Sequence, residues 1–538
     1  MGEIDVKLTA DVLVIGGGPA AAWAAWSAAS NGANVALVDK GYLGTSGATA
    51  PGGTNLLYLP PDQKLRDQAV EQRFKGGGFL SEPSWTYRVL DQVYINLERI
   101  EKWGYPFVRD EEGVPQRGHL QGLEYMNLMR KVVLKAGVKV LDHHPSLELL
   151  VDEHGVGGAR GVSRLDNKEW EVRANAVVLA TGGCAFLSKG LGCNVLTGDG
   201  LLMASELGAE LSGMEFSRAY APSAAFGTIT RGRLLGWATY YDEEGNVLNS
   251  DGNRGQILHR AVSEGRTVYA MLNKADTPEK QAILRSSHAV FFLPYDRTGI
   301  DPFTQKFPLT LRAEGTVRGT GGIRLVSEDC STTVAGLYAA GDAASRERLM
   351  GGMSGGGAFN ASWAICSGTW SGEAAAAYAL AQSRNAGSRD LRPAGRYGLQ
   401  AGETSGSVAV GAPASDSSRP SQKELVAAVQ QEVSLKINYF RNVPSLQGSL
   451  ARLNALWPIA GSFSERGGIQ QRVRSREIAA MAATARWMHT ASLERKETRA
   501  MHALAEYPEQ DPNQLHRITL SGIDEIAVRY DKVPGSSA

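Results

Sequence analysis

The chain has 538 residues, more than one ordinary domain holds, so two or three domains are expected. Lys+Arg and Asp+Glu both number 56, which leaves zero formal charge and no electrostatic case for a nucleic-acid partner. No apolar run is long enough for a direct membrane span, MGEIDVKLTA has no secretory pattern, and the four cysteines form no CxxC pair. A cytoplasmic setting with free thiols is therefore expected, with no redox dithiol and no iron–sulfur cluster within this chain.

Asp11-Val12-Leu13-Val14-Ile15 reads as an apolar strand running straight into Gly16-Gly17-Gly18-Pro19-Ala20-Ala21 and an alanine-rich helix. A second apolar run, Val35-Ala36-Leu37-Val38, ends on Asp39. This is a βαβ dinucleotide fingerprint in its expected context. Gly16 permits the tight turn, Gly18 lets backbone approach a pyrophosphate, and the helix N-terminus supplies partial positive charge. Asp39 stands about 20 residues beyond the first glycine, where a ribose needs an acceptor.

A loop of small residues, GTSGATAPGGTN, follows at 44–55, and helical stretches are expected around 65–75 and 82–103. KVLDHHPSLELLVD at 139–152 reads as strand, turn and strand. His143-His144 lacks a Cys or carboxylate partner at ligand spacing, so it is turn chemistry, and no metal site is expected. A strand at 172–180 ends in Thr181-Gly182-Gly183, and TGDGLLMASELGAEL gives a turn and an amphipathic helix. Residues 226–315 change character and read as an inserted unit. The α/β pattern returns at Gly336-Leu337-Tyr338-Ala339-Ala340-Gly341-Asp342, and a long Ala-rich helix is expected over 358–382. Residues 384–422, rich in Ser, Gly, Ala and Pro without periodicity, read as a linker or long surface loop. Beyond them the chain reads as helical, with Ile478, Met481, Ala485, Met488 and Ala491 at core spacing over 472–505.

Taken together, GGGPAA at 16–21, the GTSGATAPGG loop, ATGG at 180–183, TGDG at 197–200, GAELSGMEF at 208–216, GLYAAGDAA at 336–344 and RKETRAMHALAEYPEQD at 495–511 match more than a generic nucleotide fold. The chain resembles the fumarate reductase/succinate dehydrogenase flavoprotein superfamily over nearly its whole length; that superfamily includes L-aspartate oxidase and the α-subunit of adenylylsulfate reductase. The resemblance implies an α/β fold. A Rossmann-like FAD-binding domain at 1–225 and 316–383 would carry an inserted α+β capping domain at 226–315, with a helical C-terminal domain at 423–538. It implies FAD in the N-terminal site. Gly16, Gly18, Pro19, Ala20 and Ala21 would face the pyrophosphate, with Asp39 and Lys40 by the adenosine. Thr45, Ser46, Gly47, Gly52 and Gly53 would wrap the pyrophosphate and the flavin ring. Thr181, Gly182, Asp199, Gly341 and Asp342 would contact the cofactor, Asn360 and Ala361 would meet the pyrimidine edge, and Ser146 is a further carry-over. Ser46 takes the place of the histidine that links FAD covalently in respiratory members, so non-covalent FAD is expected.

The departures concern the substrate. Dicarboxylate-handling members carry a QFHPTG-type His, a His four residues before a Gly-Gly, and an HGxNRxG-type His/Arg pair. Here MEFSRAYAPSAAFG places Tyr220 and Ala221 at the first, Val317 stands four before Gly321, and RERLMGGMSGGGAFNAS lacks the third. A carboxylate buried without a cation costs several kcal/mol, so succinate, fumarate and aspartate are poor candidates. The family's RDxxxR proton-donor segment reads Arg254-Gly255-Gln256-Ile257-Leu258-His259-Arg260. His259 falls at the donor position and would exchange protons, while Arg260 would bind an anionic group. Arg254 and Tyr220 complete the catalytic candidates, Arg218, Arg231 and Arg233 are candidates for the cap hinge, and Arg499 is a candidate for the active-site rim, with His502 in the same segment. One dinucleotide fingerprint means electrons enter or leave through oxygen, a soluble acceptor or a ferredoxin-like iron–sulfur protein. The expected activity is an FAD-dependent oxidoreductase acting on a small organic or sulfur-containing substrate. Sulfur-anion chemistry of the adenylylsulfate reductase kind and a non-catalytic electron-transfer flavoprotein are the alternatives.

Overall fold

The computed structural model describes residues 4–230, 234–248, 254–354, 356–382, 385–395, 420–460 and 468–534. Strand β1 (Val6–Ile15) alternates in exposure at first and is buried throughout from Val12 onward, as suits the middle of a sheet covered on both faces. It pairs in parallel with β2 (Val35–Val38) on one side and with Glu169–Leu179 on the other. Lys139–Leu141 follows β2. The outer edge of Glu169–Leu179 is shared, its first half pairing antiparallel with Gly155–Val162 and its end pairing in parallel with Leu337–Ala339. Ser146–Asp152 and Arg392–Pro393 complete this eight-stranded sheet. The ends of β1, β2, Glu169–Leu179 and Leu337–Ala339 thus open on one edge, where parallel α/β sheets bind ligands.

Helix α1 (Pro19–Ser30) leaves β1 at once, with Gly18 at its N-cap and Pro19 in its first turn, where a missing N–H costs nothing. Between residues 220 and 313 the chain builds a separate antiparallel sheet of Tyr220–Ala224, Phe307–Ala313, Val268–Met271 and Thr239–Tyr241 in that spatial order. Helix α2 (Arg254–Ser263) packs on it, and with Pro278–Ser287 and Ala289–Thr298 this unit has its own core around Phe291, Phe292, Tyr295, Phe303 and Phe307. Helix α3 (Gly356–Ala381) then returns to the main sheet and lies against α1 at backbone distance. A Cβ added to Gly368 would stand 2.5 Å from the Ala20 carbonyl oxygen, and one on Gly372 would stand 2.2 Å from that of Ala24.

The C-terminal part packs Gln422–Glu432, Val443–Ala460 and α4 (Ile469–Glu494), whose residues Ile478–Met488 are all buried. One expectation here needs correction, and the helical C-terminal part carries one addition. Helix α4 stops at Glu494 rather than near 505, because Arg495, Glu497 and Arg499 turn inward as a buried ion cluster. The chain then closes with a hairpin, His516–Ser521 and Ala527–Lys532, which pairs back onto Leu211–Ser212, so the C-terminal part is not purely helical. The stretch expected as linker is also anchored at its start. Arg389 is buried and donates to both oxygens of Asp152, at 2.8 and 2.5 Å. The rest of that stretch, 396–419, lies outside the described residues. Among the described residues no helix is long and apolar enough to cross a membrane.

Candidate active site

A cavity of 1510 Å³ runs from the open edge of the main sheet to the 220–313 unit. Small-ligand pockets hold roughly 300–1,000 Å³, so this volume suits a dinucleotide together with a second, smaller molecule.

The sheet-side wall is made largely of backbone. Gly16, Gly18, Pro19 and Ala20 line it at the end of β1, and Asp39 and Lys40 at the end of β2. Ser46, Gly47, Gly52, Gly53, Ser146, Thr181, Gly182, Asp199, Gly341, Asp342, Asn360 and Ala361 line it as well. Two expected residues do not. Ala21 is fully buried inside α1, and the Thr45 hydroxyl turns away to the Tyr42 carbonyl at 3.3 Å.

This wall fits FAD on three counts. Gly47, at φ +84°, faces Gly18 so closely that a Cβ would lie 3.0 Å from the Gly18 Cα, leaving two bare backbones that a pyrophosphate can approach. Asp39 is buried at the end of β2, where the sequence expects a ribose acceptor, and is held by the Ser46 hydroxyl; burial pushes its carboxyl upward, against the hydrogen bonds from Ser46 and Gly41. Asn360 donates to the Val317 carbonyl at 2.7 Å, while its buried Oδ1 has no partner among the described residues and can accept from a ring N–H. Asp199 is more engaged than expected. Its oxygens receive Lys40 Nζ at 2.7 Å and the Thr197 hydroxyl at 2.9 Å, and Lys40 also reaches Glu477 at 3.1 Å. Asp342 accepts from the fully buried Arg346; burial raises its carboxyl, and the Arg346 and Arg318 charges oppose the rise.

The opposite wall is aromatic. His259 is buried on α2 and stacks on Tyr439 with centroids 4.1 Å apart and planes 20° apart. Tyr439 ends a π-turn at Leu435–Tyr439 in the C-terminal part, so this stack joins two separate regions of the chain. Tyr220 stands edge-on to His259 at 6.4 Å. Its hydroxyl donates to the Val433 carbonyl and accepts from Asn438 at 3.1 Å, which leaves the ring as its contribution to the cavity.

Arg260 is a correction: it is exposed and does not line the cavity, because successive helical residues do not share a face. Arg499 is another. It is buried away from the rim, bound to Glu497, the Gly78 carbonyl at 2.7 Å and the Asp511 carbonyl at 2.8 Å. The side chain of Arg254 and residues Arg231 and Arg233 lie outside what is described. Arg218 does line the cavity, stacked over Tyr439 and bound to the Met501 and Tyr439 carbonyls.

Other lining residues were not anticipated. His119 and Asn55 join at 2.9 Å across a two-residue strand pair, and the imidazole fits because Gly53 has no Cβ, which would lie 2.4 Å away. No local pattern announces that contact. Glu314, Arg318 and His288 also line the cavity. For Arg318 a signal existed: it directly follows Val317, the place where a histidine was sought.

Among the described residues, no group of three or more His, Cys, Asp or Glu comes together to hold a metal. The FAD binding domain family matches residues 11–359, and the fumarate reductase flavoprotein C-terminal family matches 426–536. One of the subunits of the CoM/CoB fumarate reductase of Methanothermobacter marburgensis is 26% identical, covering 95% of this chain and 97% of that protein. Among solved structures, a mutant E. coli quinol fumarate reductase chain superposes with a TM-score of 0.78 at 20% identity, over 99% of this chain and 98% of that one. Adenylylsulfate reductase from Archaeoglobus fulgidus gives 0.74 at 19% identity, over 100% and 98%.

Proposed function

Since the chain belongs to the FAD-binding fumarate reductase flavoprotein family and is an FAD-dependent oxidoreductase, we propose that it exchanges two electrons between a small organic molecule other than a dicarboxylate and an external acceptor or ferredoxin-like iron–sulfur protein. The observation carrying this reading is the cap-side wall, which His259, Tyr439 and Tyr220 make aromatic and where Arg218 is already bound to backbone carbonyls. A dicarboxylate needs two cations, and with the Arg218 guanidinium already bound to the Met501 and Tyr439 carbonyls a second carboxylate buried there would cost several kcal/mol.

Bound FAD supplies two-electron chemistry at its flavin ring. The chain's own residues do the rest. The backbone around Gly16, Gly18 and Gly47 takes the pyrophosphate, Asp39 the ribose, and Asn360 the pyrimidine edge. Residues 226–315 act as the cap that excludes water. A ring nitrogen of His259 exchanges the substrate proton, and the Tyr439 stack fixes the imidazole plane. Several relatives are named as subunits, which supports electron delivery by a second protein.

The test uses purified holoprotein reduced by dithionite without oxygen. The expected result is reoxidation by a ferredoxin or dye but not by fumarate, and no reduction of the oxidised protein by succinate. Catalytic reoxidation by fumarate would overturn the reading. Rapid bleaching by sulfite would move it to sulfur-anion chemistry.

A further inference from the structure

We infer that Arg318 is the anion anchor of this cavity, and that the substrate carries one anionic group on an apolar or aromatic body; this rests on the oxidoreductase reading above. Arg318 ends the short helical turn Gly315–Arg318 and lines the cavity. Among the described residues its guanidinium makes no hydrogen bond. Its nearest charge contact is Nε to Glu314 Oε2, at 3.6 Å, and the Asp342 carboxylate also acts on it. Glu314 in turn accepts from the Thr230 hydroxyl at 2.9 Å, which ties this ion pair to the 220–313 unit.

The neighbouring guanidiniums are already committed. Arg346 is spent on Asp342 and the carbonyls of Thr316 and Gly319, and Arg218 on those of Met501 and Tyr439. Arg346 also fixes the turn that presents Arg318. A planar fork of five donors with no acceptor in place is built for a carboxylate or similar oxyanion. Glu314 already offsets the charge of Arg318, so a monoanion adds one uncompensated charge there and a dianion adds two, which favours the monoanion. Leu234, Trp237, Phe291 and Tyr439 supply the apolar surface for the body of such a molecule.

The experiment titrates holoprotein with benzoate, phenylacetate and cinnamate, with benzamide as a neutral isostere and fumarate as a dianion, reading the perturbation of visible flavin absorbance. At least one aromatic monoanion should bind, with benzamide and fumarate about tenfold weaker or more. Arg318→Gln should weaken the monoanion by about 10- to 150-fold, the range of one charged hydrogen-bonded contact, and Arg318→Lys should recover part of the loss. FAD content and the unliganded spectrum should not change. Equal binding of monoanion and benzamide to the unmutated protein overturns the inference without any variant. So does a monoanion affinity untouched by Arg318→Gln, silence from all three monoanions, or loss of FAD in the variant, which would assign the guanidinium to the cofactor. A wild-type protein that holds no FAD is a different failure, that of the oxidoreductase reading itself.

Discussion

At the scale of single residues, the cofactor slot depends on atoms that are missing as much as on those present. Gly47 adopts a left-handed φ of +84°, and its Cβ would enter the gap to Gly18. Gly47→Ala should leave the fold intact and weaken FAD binding at least about tenfold, a conservative reading of one lost close approach; fluorescence titration of the apoprotein with FAD measures it. Ser46 offers no imidazole for a covalent link, and its hydroxyl is engaged with Asp39. Acid precipitation should therefore leave all the flavin in the supernatant; yellow fluorescence on the denatured chain would contradict this. A third residue is pushed toward its neutral form inside the protein. Burial, with the Glu215 charge beside it, pushes the Glu347 carboxyl up to about 8 against the pull of Arg517 and Arg495. Its ordinary value is 4.5, so between pH 4.5 and 8 the unfolded chain sheds a proton that the folded chain keeps, and stability falls as pH rises. Glu347→Gln should raise Tm by a margin absent at pH 4 and growing up to pH 8. An unchanging difference across that range would show that the group is ionised in the fold. That the glycines and Asp39 stand on the cavity wall was legible in the sequence because a βαβ motif fixes where backbone approaches a ligand. The failure of Arg260 was also legible in principle, since His259 and Arg260 are neighbours on a helix and only one can face inward.

At the scale of elements, the contact between α1 and α3 holds the cofactor slot in place. Both helices are rich in alanine and glycine, and the Gly368 and Gly372 positions touch carbonyls of α1 directly. Gly372→Val would force the helices apart. A loss of about 1–3 kcal/mol, typical of overpacking, should appear in urea unfolding, together with weaker FAD binding because α1 carries the pyrophosphate end. Full retention of both would mean the helices have room that the geometry denies them. The two helices were readable from their composition, but their mutual contact was not, because a Gly-Ala surface carries no periodic apolar stripe. Gly155–Val162 escaped for a related reason. Its glycines argue against a strand, yet Gly158 is what lets this one lie where a Cβ would come 2.2 Å from the Val172 carbonyl. The final hairpin was missed because its strands are short and half exposed, and its partner Leu211–Ser212 is remote in sequence.

At the scale of the whole molecule, His259 and Tyr439 tie the unit at 220–313 to the C-terminal part across the cavity. His259→Phe keeps an aromatic stack but has no proton to exchange, whereas His259→Ala loses both. Hydrogen exchange in α2 should therefore stay slow in the first variant and quicken in the second, while turnover falls in both by roughly 100-fold or more, the usual worth of a general acid. Equal turnover in His259→Phe and the unmutated protein would remove His259 from the chemistry. The fold class was legible because motifs recur in one order along the chain; the contacts between its parts were not, since they depend on how the parts dock. The chain order also bears on biogenesis. The cavity is walled by residues 15–20 from the start of the chain and by 341, 342, 360, 361 and 364 from well past its middle, with the 220–313 unit made in between. Domains emerge from the ribosome N-terminal end first, so the βαβ motif exists long before α3 and Leu337–Ala339 arrive to complete its site. Flavin capture is thus a late step in synthesis, and a chain arrested before residue 341 carries the nucleotide signature without the means to hold the nucleotide.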